Sequence, residues 1–196
     1  MPLHPQWGPQ PILCDEVACL GPFRLEDANV MVHWDADPEM QRWLDFPTEL
    51  PQGFNHLAHG EGVIRRWWSL WEAGTLAAFM VRDAQSGIPL GSCELRHIQA
   101  GEADISYSTI AEHRGRGVAT RAVQLLCRWA FDELHLTRIR LETDVENQAS
   151  RAVARKAGFQ QTALLTGRCM VERYEPLRGV RRDMVLYVLE APRTQG

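Results

Sequence analysis

His113-Arg114-Gly115-Arg116-Gly117-Val118-Ala119 is the stretch that decides how this chain folds. Before it, Ala103 to Ile110 alternates in polarity, with Ile105 and Tyr107 set against Asp104, Ser106 and Ser108, and predicts a strand. After it, Val118, Ala122, Leu125, Leu126 and Trp129 form an apolar stripe that predicts a long helix ending near Leu134. A strand, a tight loop of Gly and Arg, and a helix together hold an anion. The first N–H groups of a helix have no intrahelical partner, and the helix dipole puts positive potential there. Two glycines remove the Cβ atoms that would keep a phosphate away and permit unusual backbone angles.

The flanking sequence reads as one mixed α/β domain. Leu20 to Leu25 predicts a short strand, and Asp27 caps a first helix carrying Val30, Met31 and Trp34. Asp37-Pro38 repeats the signal, a cap followed by proline at the first helical position, before Met40, Trp43 and Leu44. Phe46 to His59 has no periodicity and reads as a loop. A third helix is expected from Gly62 to Ala73, with Ile64, Trp67, Trp68 and Trp71 on one face as core or a dimer face. Leu76 to Arg82 and Pro89 to Ile98 read as two strands joined over Asp83 to Gly87. Arg138 to Thr143 alternates strictly. Asn147 caps a short helix that Gly158 ends, and Phe159 to Leu165 and Asp183 to Leu189 are the last strands. An arginine-rich segment, Thr166 to Arg182, lies between those two. Residues 1–19 read as an extended leader, 20–190 as the domain and 191–196 as a tail.

Composition narrows the function classes. The chain has 196 residues, enough for one domain with a substantial core and short for two. A formal charge of −4 gives no support for a nucleic-acid binder. There is no apolar run of the roughly 18 residues a membrane span needs, and Met1 to Pro11 has no signal-peptide pattern. The cysteines at 14, 19, 93, 127 and 169 are odd in number and include no C-x-x-C, so free thiols and a cytoplasmic location are expected. His56-x-x-His59 lacks a third ligand nearby, and no metal is expected. Cys127 sits among apolar helix residues and reads as inert.

Three phosphate ligands compete for the loop. A Walker-type loop requires Gly-Lys-Ser/Thr, but Val118 and Ala119 follow Gly117. A dinucleotide fingerprint requires a third glycine or alanine where Thr120 stands, and an acidic residue about 20 positions on. The third candidate fits. Arg114-x-x-Gly117-x-Ala119 resembles the pyrophosphate loop of the GNAT family of acyl-CoA-dependent N-acyltransferases. Asn147-x-x-Ser150 followed by Lys156-Ala157-Gly158-Phe159 is similar to a second block of that family. Asp104-Ile105-Ser106-Tyr107 and Arg181 to Tyr187 are similar to strands of its ribosomal-protein N-terminal acetyltransferase subgroup. The resemblance covers roughly Leu20 to Leu189.

The resemblance implies a central, mostly antiparallel twisted sheet with a splayed parallel strand pair, flanked by helices. It implies acetyl-CoA as co-substrate, with no metal, and transfer of its acetyl group to a protein N-terminal amine or a small-molecule amine. The pantetheine arm would lie between the strands, along Ser106, Tyr107 and Ser108. The phosphates would meet Arg114, Gly115, Arg116, Gly117, Val118, Ala119 and Thr120, with Asn147 and Ser150 completing the donor site. Asp104 takes the place of the usual Glu base, and its shorter side chain calls for a relaying water. The position of the family's acidic Tyr is Ala154, which leaves Ser150, a water or unassisted departure for the thiolate. Ser106 replaces the subgroup's usual glycine. Trp43, Phe46 and Phe54 are the expected acceptor-binding residues. A homodimer stays open, and a CoA-binding regulatory module without turnover is the alternative, motivated by the missing Tyr and the short Asp.

Overall fold

The computed structural model describes residues 7–44, 52–169 and 181–192. These form an eight-stranded sheet in the order β1-β2-β3-β4-β5-β6-β8-β7. The strands are β1 (Leu13–Cys14), β2 (Ala18–Gly21), β3 (Leu76–Asp83), β4 (Pro89–Gln99), β5 (Glu102–Thr109), β6 (Arg138–Asp144), β7 (Gln160–Cys169) and β8 (Arg181–Glu190). The helices are α1 (Ala28–Asp35), α2 (Pro38–Leu44), α3 (His56–Glu72), α4 (Val118–Asp132) and α5 (Gln148–Lys156). All neighbours are antiparallel except β5 and β6. No described helix is long and apolar enough to cross a membrane.

The alternation of β3 divides the core in two. Ala77, Phe79 and Val81 face α4 and α5 in a cluster that also holds Val123, Leu126, Ile139, Leu141, Ala154 and Tyr187. Leu76, Ala78 and Met80 face the opposite way, onto α1 and α3 through Trp34 and Ile64. The tryptophans of α3 split between these clusters instead of sharing a face. Trp71 stacks on Trp129 at 5.8 Å in the first, Trp67 packs on Phe23 at 4.6 Å in the second, and Trp68 stays partly exposed while its indole donates to the Phe23 carbonyl.

Several local expectations change. The strand expected at Leu20 to Leu25 lies earlier, at Ala18–Gly21, because Leu25–Asp27 form a 3-10 turn in which Asp27 accepts from the Arg24 N–H. Helix α3 begins at His56, inside the expected loop, because the Asn55 side chain accepts from the Ala58 N–H. Strand β7 runs to Cys169, past Leu165, and β8 begins at Arg181; residues 170–180 lie outside the described residues.

The cysteine expectation is corrected at the N-terminus. Cys14 and Cys19 face each other across the β1–β2 hairpin and are joined by a disulfide, while Cys93 and Cys127 are buried thiols. A count that seeks a framework or C-x-x-C is blind to one bridge between directly opposed hairpin residues. Burial pushes both thiols well above their usual range, which keeps them unreactive. The segment read as leader is packed from Trp7 onward. Trp7 meets Trp71 edge-on at 5.0 Å, and Gln10 Nε2 donates to the Ala78 carbonyl on the edge of β3 that β2 does not reach.

Candidate active site

The parallel pairing of β5 with β6 is short. Glu102, Ala103 and Asp104 pair with Arg138, Ile139 and Arg140, and the ladder stops there. Strand β5 continues to Thr109 on β4, and β6 continues to Asp144 on β8. The facing edges of 105–109 and 141–144 therefore diverge without a ladder between them. Their N–H and C=O groups are available to an extended ligand that pairs as a strand would.

The gap opens toward the Gly-Arg loop. Gly117 precedes the first residue of α4 with φ +81°, and Gly115 has φ +75°. Both angles are left-handed, which glycine adopts without penalty. A Cβ built on either would meet nothing within 4 Å, so the space over the loop is open. The first helical bond runs from the Arg121 N–H to the Gly117 carbonyl, which leaves the N–H groups of Val118, Ala119 and Thr120 at the mouth of α4. This cradle fits a diphosphate.

The two loop arginines differ. Arg116 is exposed, whereas Arg114 is tied down: its Nε donates to the Thr109 carbonyl at 3.1 Å and its guanidinium pairs with Asp37. Asp37 in turn caps α2, accepting from the Glu39 N–H at 2.9 Å. Burial alone would raise the Asp37 pKa, but Arg114 and the cap bonds together hold it below the usual carboxylate range. The donor loop and α2 are thus fastened at one carboxylate.

On the α5 side of the gap, the Asn147 side chain accepts from the Ser150 N–H at 2.9 Å, and the hydroxyls of Ser150 and Tyr107 meet at 2.8 Å. The expected capping by Asn147 is present. Ala154 is fully buried.

The other face of the sheet carries Asp104, Ser106 and Ser108. Ser108 bonds Ser92 at 2.8 Å. The Ser106 hydroxyl donates to Glu94 at 2.8 Å and accepts from Arg96 at 2.6 Å. Asp104 has both oxygens engaged: Arg140 Nε donates to one at 2.7 Å, and His97 Nδ1 lies 2.8 Å from the other. This polar cluster is carried by the faces that β4, β5 and β6 share at the point where the strands part.

The expected acceptor residues are not gathered in one place. Trp43 on α2 donates to Glu39 at 2.6 Å and lies under the Arg42 guanidinium. Phe54 packs against His56 and His59 at the start of α3. Phe46 lies outside the described residues. Neither Trp43 nor Phe54 lines the cavity of about 720 Å³ that does open beside the donor loop, walled by Asn29, His33, Trp34, Asp37, Ile110 and Arg114. Among the described residues no group of three or more His, Cys, Asp or Glu could hold a metal ion.

Sequence reasoning passed over Asp37, Glu94, Arg96, His97 and Arg140. The Asp37 cap was visible, but its pairing with Arg114 spans 77 positions and has no local signal. The others alternate on strands like ordinary surface charges, and only the sheet register brings them together.

Comparison with known proteins decides the family. A profile described as an acetyltransferase (GNAT) domain matches residues 18–160. The chain belongs to the GNAT acetyltransferase family. It is accordingly an acetyl-CoA-dependent N-acetyltransferase. It is 27% identical over 179 residues to the uncharacterized N-acetyltransferase p20 of Bacillus licheniformis, covering 90% of this chain and 94% of that one. Its fold is similar to that of Mycobacterium smegmatis RimJ in complex with CoA-disulfide, with a TM-score of 0.75 at 23% identity over 94% of this chain and 86% of that one. RimL, a ribosomal L7/L12 alpha-N-protein acetyltransferase in complex with coenzyme A, gives a TM-score of 0.77 at 17% identity, over 92% of this chain and 98% of that one. The family accounts for the mixed α/β single domain, whose mostly antiparallel sheet carries one parallel β5–β6 pair.

Proposed function

We propose that this acetyltransferase moves an acetyl group from acetyl-CoA to a primary amine, either a protein N-terminal amine or a small-molecule amine, by direct attack on the thioester. The observation that carries the proposal is the β5–β6 ladder ending at Asp104 and Arg140, immediately before a left-handed glycine turn that opens α4. A pantetheine arm fits the diverging edges along Ser106, Tyr107 and Ser108. The diphosphate fits over Gly115 to Thr120, with Arg116 free to approach it and Arg114 holding the loop in shape.

The thioester is already activated, so the protein has three tasks. It polarises the carbonyl, for which a β5 N–H in the gap serves. It takes a proton from the acceptor ammonium, which must be neutral to attack, and the polar cluster around Asp104 serves there. It returns a proton to the departing thiolate, for which Ser150 is placed, with Tyr107 behind it. Asn147 orients Ser150 through its backbone. The acceptor enters from the side of the sheet that bears α1 and α2, where Trp43 and Phe54 and the cavity over Trp34 offer apolar contact.

The test is to incubate the protein with acetyl-CoA and a panel of amines and N-terminal peptides, following free thiol and the mass of each acceptor. Thiol release matched by one added acetyl group per turnover is expected. Tight acetyl-CoA binding with no thiol release from any acceptor would overturn the proposal in favour of a regulatory CoA-binding module.

A further inference from the structure

We infer that His97 is the proton acceptor of the transfer reaction and that Asp104 is its positioning residue; this rests on acetyl transfer to an amine as proposed above.

Position 97 is unusual in its backbone. Strand β4 pairs regularly with β5 from Gly91↔Thr109 to Arg96↔Asp104, then resumes at Gln99↔Glu102. Two residues of β4 thus stand against one of β5, which is a bulge. His97 is the left-handed member, with φ +50°, an uncommon angle for a residue with a side chain. Strict alternation from Cys93 and Leu95 would send residue 97 to the apolar face beneath α4. The bulge turns it beside Arg96 instead, onto the polar face, and Ile98 takes up the apolar packing. The strain is spent on re-aiming one imidazole at the parting of β5 and β6.

Its partner fixes its chemistry. Asp104 as a carboxylate can only accept, so the proton between them sits on His97 Nδ1, 2.8 Å from the Asp104 oxygen. That leaves Nε2 with its lone pair free, and His97 makes no other hydrogen bond among the described residues. A carboxylate that holds one imidazole nitrogen and leaves the other to take a proton is the arrangement that serves general base catalysis elsewhere. Asp104 itself is poorly suited to the task expected of it, because its second oxygen is occupied by Arg140 at 2.7 Å. An imidazole normally titrates between pH 5 and 8, where an amine can lose a proton to it. The charged groups facing this pair are Glu94 and Arg96 on β4, Glu102 on β5 and Arg140 on β6, and Arg96 and Glu94 are paired with each other at 2.9 Å.

The balance of the step is simple. The ammonium passes one proton to His97 Nε2, directly or through one water. The amine nitrogen attacks the thioester carbon, the C–S bond breaks, and the second nitrogen proton passes to the thiolate. His97 then releases its proton to solvent.

The experiment measures kcat/KM for the amine against pH in the wild type, His97→Asn, Asp104→Asn and Glu94→Gln. Asparagine tolerates a positive φ, so His97→Asn keeps the bulge, and its melting curve is checked against wild type. The expected loss in His97→Asn is about 100-fold or more in kcat with the KM for acetyl-CoA unchanged, together with disappearance of the acid limb. Asp104→Asn should lose less and move the acid limb to lower pH, since the imidazolium loses its carboxylate. In parallel, imidazole resonances followed by NMR should show the His97 titration moving down in Asp104→Asn. A full acid limb in His97→Asn would overturn the inference, and its loss in Glu94→Gln alone would assign the base to Glu94. Failure of the wild type to release thiol with any amine would remove the transfer proposal itself and this inference with it.

Discussion

The Tyr107 hydroxyl on β5 and the Ser150 hydroxyl on α5 meet at 2.8 Å across the wall of the donor gap. Burial pushes the Tyr107 phenol far above its usual range, against a smaller opposing pull from Ser150, so it stays protonated at any working pH. The pair can therefore donate but not titrate. Ser150→Ala is expected to slow transfer about ten- to hundredfold, the low end of general acid catalysis. Tyr107→Phe should slow it about fivefold, the worth of one neutral hydrogen bond. Neither should change the acetyl-CoA KM or the pH profile below pH 9. Steady-state kinetics with both substrates varied would check this, and a rise in KM alone would show that the hydroxyls only hold the arm.

Gly117 meets two demands at once, a left-handed backbone and an open surface. Gly117→Ala should cost about 1–2 kcal/mol of stability through backbone strain and weaken acetyl-CoA binding modestly. Gly117→Glu should add a carboxylate where the diphosphate belongs and abolish binding. Titration calorimetry with acetyl-CoA, beside a thermal melt, separates the two effects. Unchanged affinity in Gly117→Glu would displace the phosphate site from this loop.

Asp37 links α2 to the donor loop through Arg114. Its folded pKa is depressed, so its contribution is complete above the unfolded value of about 3.9 and is lost as pH falls through the folded value. Asp37→Asn should therefore destabilise the protein by about 1–2 kcal/mol at pH 7, through a weakened cap and a lost charge-assisted bond. The difference from wild type should shrink below about pH 4. Urea denaturation at pH 7, 5 and 3.5 tests the sign, and a difference that grows on acidification would contradict it.

Trp71 joins α3, the N-terminal segment and α4 through Phe79, Trp7 and Trp129. Trp71→Ala should cost about 3–5 kcal/mol, the usual loss for a large buried aromatic. Its indole also donates to the Gly8 carbonyl, so the variant should free the N-terminal segment to early proteolysis. Urea denaturation and limited digestion would measure both.

Much of the scaffold was legible because local chemistry specified it. Asp37-Pro38 starts α2, Asn147 caps α5, and the alternation of Arg138 to Thr143 marks β6, each by interactions within a few residues. The β1–β2 disulfide and the packing of Trp7 were not legible. Both depend on which residues a hairpin or a sheet edge sets opposite each other, and a count of cysteines or prolines contains no such information.

The sequence by itself determined the donor site. Two glycines between a strand and an apolar-striped helix can make an anion cradle from backbone alone, so residue type and spacing suffice. What only the tertiary structure decided is the polar side of the reaction. Strand register brings Asp104 beside Arg140, a bulge turns His97 out of its alternation, and Arg114 finds Asp37 far away in the chain. Side chains that act through neighbours on other strands acquire their roles when the sheet assembles, because cross-strand contact is set by long-range pairing and not by sequence distance.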